Sequence, residues 1–211
     1  MGVASINNRH FLMRRLHSLF GLLPVGGFLL FHLWENSQSR FGAEHYNTQV
    51  VAWLQGLNYL HFLEIFLIGL PLLWHALYGL VIINGGRAEP LRYPYLHNRL
   101  YLLQRISGLG ILLFLLIHVG GTRVWGVWEP SIKADMFGHI QSLLSDPLIL
   151  AVYLAGLLLA VFHLCYGIWS LAVSWGITTT PKAQDLMFKA VMVLALLLAV
   201  EGIHGIRGFL L

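Results

Sequence analysis

Charge is scarce in this chain. Only 10% of its 211 residues are Asp, Glu, Lys or Arg, and 57% are apolar, whereas a water-soluble domain carries about 25% charged residues. So little charge cannot clothe a surface in water, and the composition is that of an integral membrane protein. Cysteine is scarcer still. Cys165, inside an apolar run, stands alone, which excludes an internal disulfide and a cysteine-ligated iron–sulfur cluster. There is no C-x-x-C-H for covalent haem attachment, no P-loop and no dinucleotide or flavin fingerprint. No basic tract with interleaved aromatics suggests nucleic acid. Strands of period two, about 10 residues long, are missing, which argues against a membrane barrel. No polar block is long enough to fold by itself, so residues 1–211 read as one domain.

What the chain has in quantity is long apolar runs. Hydropathy predicts an all-α, five-helix membrane bundle with spans at about 12–34, 59–84, 103–121, 147–175 and 188–209. Arg9, Arg14 and Arg15 precede the first run in the manner of a signal peptide. That run has no Asp, Glu, Lys or Arg from Leu16 to Trp34, and no A-x-A-like site follows it. It is expected to be an uncleaved first span.

Lys and Arg sort by side. Arg9, Arg14, Arg15, Arg87, Arg92, Arg99, Arg105, Lys182 and Lys189 fall on one side; Arg40, Arg123, Lys133 and Arg207 fall on the other. The excess predicts a cytoplasmic N-terminus and an outside C-terminus. Trp34, Trp53, Trp125, Trp128 and Trp175 lie near span ends, as interfacial aromatic belts require.

Four consecutive spans each carry one deep histidine: His32, His75, His118 and His163. Ionisable groups within a span are costly and mark function. The second and fourth spans share a His-x-x-Tyr-Gly pattern, at His75 and at His163, offset by 88 residues; His32 and His118 are offset by 86. At 1.5 Å per residue, His32 and His118 lie roughly 22–25 Å from the cytoplasmic edge, and His75 and His163 about 16–20 Å from it. Two layers result, with His75/His163 inside and His32/His118 outside.

Structural zinc takes four ligands, usually with thiolates, and facial-triad iron needs a carboxylate beside two histidines. Two facing imidazoles in an apolar slot suit bis-histidine haem b, one per layer. Gly26, Gly27, Gly69, Gly79, Gly108, Gly110, Gly156 and Gly167 would let a macrocycle approach the helices, or simply let the helices pack closely. Arg15, His17 and Ser18 in the first span, with Arg105 and Ser107 in the third, are candidate partners for haem propionates.

Several stretches are shared with a known family. They are Arg14-Arg15-Leu16-His17-Ser18 followed by His32; Leu63-Glu64-Ile65-Phe66 and Leu70-Pro71-Leu72 before His75; and Leu103-Gln104-Arg105 with His118. Phe162-His163 with Gly167, Ser174-Trp175-Gly176-Ile177-Thr178 through Thr180-Pro181, and Gly42-Ala43-Glu44 complete the set. Over nearly its whole length the chain resembles the cytochrome b membrane anchor of di-haem succinate:menaquinone oxidoreductases of the Bacillus-like type. The resemblance implies a bacterial cytoplasmic-membrane subunit with two haems b, ligated by His75 with His163 and by His32 with His118. It implies flavoprotein and iron–sulfur partner subunits on the cytoplasmic side, with menaquinone as the other electron partner; the reverse reaction is quinol:fumarate reduction. Val161 stands where some relatives carry a carboxylate of a proposed proton path.

A quinone site needs an apolar slot, a hydrogen-bond donor and a proton route. The outer-side candidates are His61, Glu64, Glu35, Arg123, Glu201 and His204, the last two sharing a helix face with Glu201 three residues ahead. Two other readings stay open at this point. One is a di-haem anchor of a hydrogenase or formate dehydrogenase; the other is a proton-coupled transporter with a histidine relay.

Overall fold

The computed structural model describes residues 3–85 and 89–211, with side chains from residue 9 onward. Arg87, counted above with the cytoplasmic charges, lies outside the described residues. Five helices are long and apolar enough to cross a membrane: Arg9–Phe41, Leu60–Gly85, Leu96–Trp128, Pro147–Ser174 and Pro181–Gly208, spans one to five. No strand occurs among the described residues.

Spans one, three and five run past the limits expected from hydropathy. Span three starts at Leu96 and carries Arg99 and Arg105 within the helix; span five starts at Pro181, and Lys189 pairs there with Asp185 at 2.6 Å, four residues back. Hydropathy marks the length embedded in lipid, whereas the helix continues while its backbone bonds are satisfied and its charges reach water.

The helix ends have local causes. The Asp146 carboxylate accepts from the amides of Leu148 and Ile149, with Pro147 in the first turn. Span four ends where Gly176 takes φ +72° and the Ile177 and Thr178 amides fold back to the Ala172 carbonyl. Span five restarts at Pro181, capped by the Thr180 hydroxyl on the Ala183 amide at 3.2 Å. Span one widens to a π-helical turn over Gly21–Gly26, around Pro24, which has no N–H for the regular ladder. Spans two and three hold similar turns at Leu63–Gly69 and Gly120–Val124. Such turns gather at functional sites.

Span four is the most enclosed helix. It packs on spans three and five; span five packs on the C-terminal half of span one, and the N-terminal half of span one packs on span two. Leu33, Leu157, Val161, Cys165 and Val191 form the apolar interior between spans one, four and five. Glycines bring span five close: Gly205 and Gly208 lie against the backbone from Asn36 to Arg40, and the Ser39 hydroxyl donates to the Gly205 carbonyl at 2.7 Å. The connections between spans one and two and between spans three and four are not loose loops. Tyr46, Val50 and Val51 from the first, with Phe137, Ile140 and Leu144 from the second, close over Tyr153 and Phe209 as an outer cap. Spans one to four remain around a central slot, and span five does not line it.

Candidate functional site

The slot is a cavity of about 560 Å³, within the ~300–1,000 Å³ typical of cofactor sites. His75 enters from span two and His163 from span four, with ring centroids 6.1 Å apart and planes at 89°. An imidazole–metal bond is about 2 Å; two such bonds plus two ring radii of about 1 Å would put facing centroids about 6 Å apart. The spacing would let the two imidazoles hold one iron between them.

The hydrogen bonds at the far side of each ring fix its tautomer. His75 Nδ1 lies 2.9 Å from the His17 carbonyl, and His163 Nδ1 lies 3.1 Å from the Gln104 carbonyl. A carbonyl only accepts, so each Nδ1 must carry the proton and donate it. Each Nε2 then keeps its lone pair free for a metal.

Glycine makes both approaches possible. A Cβ on Gly21 would strike the His75 ring, and one on Gly108 would sit 3.1 Å from His163 Cε1. Each glycine lies four residues after the accepting carbonyl, on the same helix face. Gly79 and Gly167 also line the cavity, against His17 and Gln104. Two further lining groups, His17 Nδ1 and Gln104 Oε1, are buried without a protein partner. Polar atoms left this way inside a cavity are places for a ligand.

The expected propionate partners divide. Arg15 stands at the inner mouth, its guanidinium 4.6 Å from the Phe11 ring centre and 4.8 Å from that of Trp175, with a bond to the Ser174 carbonyl. Ser18 Oγ accepts from the Trp175 indole at 3.1 Å. His17 is not at the mouth: its ring stacks on His75, centroids 4.0 Å apart and planes within 5°. Arg105 donates to the Ile82 and Ile83 carbonyls in the last turn of span two. Ser107 is fully buried and lies 3.0 Å from His163 Nδ1.

The outer histidines also meet. His32 and His118 have centroids 5.7 Å apart at 68°. Phe28 stacks on His32 at 5.2 Å and Phe114 on His118 at 5.3 Å. Here side chains, not backbone carbonyls, surround the rings: His118 Nδ1 lies 3.4 Å from the Tyr153 hydroxyl, and Asn36 Nδ2 approaches His32 while Asn36 Oδ1 accepts from Tyr46. Buried Glu35 lies 3.8 Å from His32 Nδ1. Among the described residues no cluster of three or more metal-ligating side chains forms.

Of the residues expected near a quinone, three converge. Arg123 donates from Nε and Nη2 to the two Glu64 oxygens at 2.9 and 2.7 Å, and His61 Nδ1 lies 3.1 Å from Glu64 Oε2. Glu201 and His204 are on span five, which packs on spans one and four, and neither makes a hydrogen bond or ion pair with this cluster.

A family model described as succinate dehydrogenase/fumarate reductase transmembrane subunit matches residues 92–207. The chain belongs to that family. The succinate dehydrogenase cytochrome b558 subunit of Bacillus subtilis (strain 168) is 39% identical to it over 202 residues, covering 96% of this chain and 98% of the relative. No solved structure matches. This membership makes the chain a multi-pass membrane subunit of a succinate dehydrogenase or fumarate reductase. The hydrogenase and formate dehydrogenase reading, and the transporter reading, fall away.

Proposed function

We propose that this transmembrane subunit carries electrons between an iron–sulfur partner subunit and menaquinone through two haems b. His75 and His163 would hold the inner iron, and His32 and His118 the outer one. The observation that carries the reading is the pair of backbone carbonyls behind His75 and His163, which reserve both Nε2 atoms for a shared metal. Bound haem supplies a one-electron iron couple. The chain's own residues fix the imidazoles, keep an apolar slot around the ring and place Arg15 where an acidic edge group would emerge.

The excess of Lys and Arg supports a cytoplasmic N-terminus, with the flavoprotein and iron–sulfur subunits docked on that side. Succinate chemistry belongs to those partners. On the outer side, Glu64 and His61 are suited to hold and pass a proton at a quinone oxygen, with Arg123 fixing the carboxylate. Glu201 and His204 have no part in this arrangement.

The test is a reduced-minus-oxidised spectrum with haem quantitation on the purified complex, for the wild type and for each of His32, His75, His118 and His163 changed to Ala. Two haems per wild-type chain are expected. Each variant should lose or convert one haem and leave the other bis-imidazole. One haem per wild-type chain would overturn the two-layer scheme.

A further inference from the structure

The two inner histidines rest in seats built to one plan. Each seat is a backbone carbonyl followed four residues later by a glycine: His17 and Gly21 for His75, Gln104 and Gly108 for His163. In a helix the side chain at position i+4 shields the carbonyl at i. Glycine there opens that carbonyl to a donor from another helix. The seats differ in the residue just before the glycine, which is Phe20 in span one and Ser107 in span three.

Ser107 Oγ, Gln104 O and His163 Nδ1 form a closed triangle with sides of 2.9, 3.0 and 3.1 Å. The protons can be assigned. The Gln104 carbonyl only accepts, so the Ser107 hydroxyl donates to it, and His163 Nδ1–H is shared between the carbonyl and Ser107 Oγ. His163 thus has two acceptors behind it, whereas His75 has one. Ser107 is fully buried, so water does not substitute for it.

We propose that Ser107 is a positioning residue for the His163 ligand: its hydroxyl is the second acceptor for Nδ1–H, which makes this imidazole the stronger donor to the inner haem iron. The inference rests on the reading that His163 binds that iron. A second acceptor draws the Nδ1 proton outward and leaves more electron density at Nε2, which favours the oxidised iron. The plain structural role, a serine bonding back to its own helix, predicts no effect on the haem.

The test uses the purified complex with Ser107→Ala and Ser107→Thr, read by redox titration of the haem absorbance and by low-temperature electron paramagnetic resonance. Ser107→Ala should keep two haems per chain, because the Gln104 carbonyl still holds the ring. It should raise one midpoint potential, that of the transition lost in His163→Ala, and alter the same haem's low-spin signal. The other haem should not move. Ser107→Thr, which keeps the hydroxyl, should match the wild type. Unchanged potentials and signals in Ser107→Ala would overturn the proposal, as would a Thr variant shifted as far as the Ala variant. If Ser107→Ala does not assemble, Ser107→Cys carries the same comparison, since a thiol accepts only weakly. A His163→Ala variant that kept both bis-imidazole haems would instead overturn the underlying ligand assignment.

Discussion

Arg123 on span three grips Glu64 on span two through both carboxylate oxygens, the one ion pair in the structure that joins two spans among the described residues. It lies toward the His32/His118 end of the bundle, with His61 on the same carboxylate. Glu64→Gln keeps the shape and removes the base. Quinone-linked turnover is expected to fall about 10²-fold with haem content and spectra unchanged. Melting temperature, measured on the same preparations, separates this role from a purely structural one. A large drop in melting temperature with normal turnover would assign the cluster to folding alone.

Gly21→Ala puts a methyl group into the space of the His75 ring. The inner haem should be lost or weakly held while the outer one persists, halving the haem per chain. Gly108→Ala should be milder, since its Cβ would meet only His163 Cε1, at 3.1 Å. Haem quantitation by pyridine haemochrome reads both.

Asp135 caps the helix Met136–Leu144 of the outer cap, accepting from the Gly138 amide at 2.9 Å and from Asn47 at 2.8 Å. These bonds hold its carboxyl below the usual carboxylate range. A depressed folded value means a contribution present above the unfolded pKa and lost as pH falls through the folded one. Loss of the cap in Asp135→Ala should cost about 1 kcal/mol or less near neutrality, since the carboxylate is largely exposed, and the difference should start to shrink below about pH 4 and be lost only below the depressed folded value. Thermal melts of both proteins across pH would show it.

Ser39→Ala removes the buried hydroxyl that holds span five to span one. It should cost about 1–3 kcal/mol by leaving the Gly205 carbonyl without that donor. Detergent-dependent melting should shift while the inner haem spectrum stays wild-type, since span five does not line the cavity.

The five spans and their four histidines were legible in the chain because lipid is a harsh solvent: it forces every backbone bond inside the helix and makes each buried imidazole conspicuous. Counting residues along the helices also led to the proposed pairing into two layers. The span ends were less legible, as Arg105 shows: it looks like a boundary charge but lies inside span three, closing the end of span two. The seats of the ligands were hidden further. Gly21 was not singled out in the sequence, Gly108 was one small residue among eight, His17 and Ser107 looked like edge groups, and Gln104 acts through its backbone carbonyl. The signal that could have found them is a glycine four residues after a deep polar position, repeated in spans one and three. Periodicity thus determined what each helix carries and how deep it lies. Only packing decided which atoms of different helices touch, because those contacts join residues more than fifty positions apart and depend on helix rotation, which hydropathy does not encode.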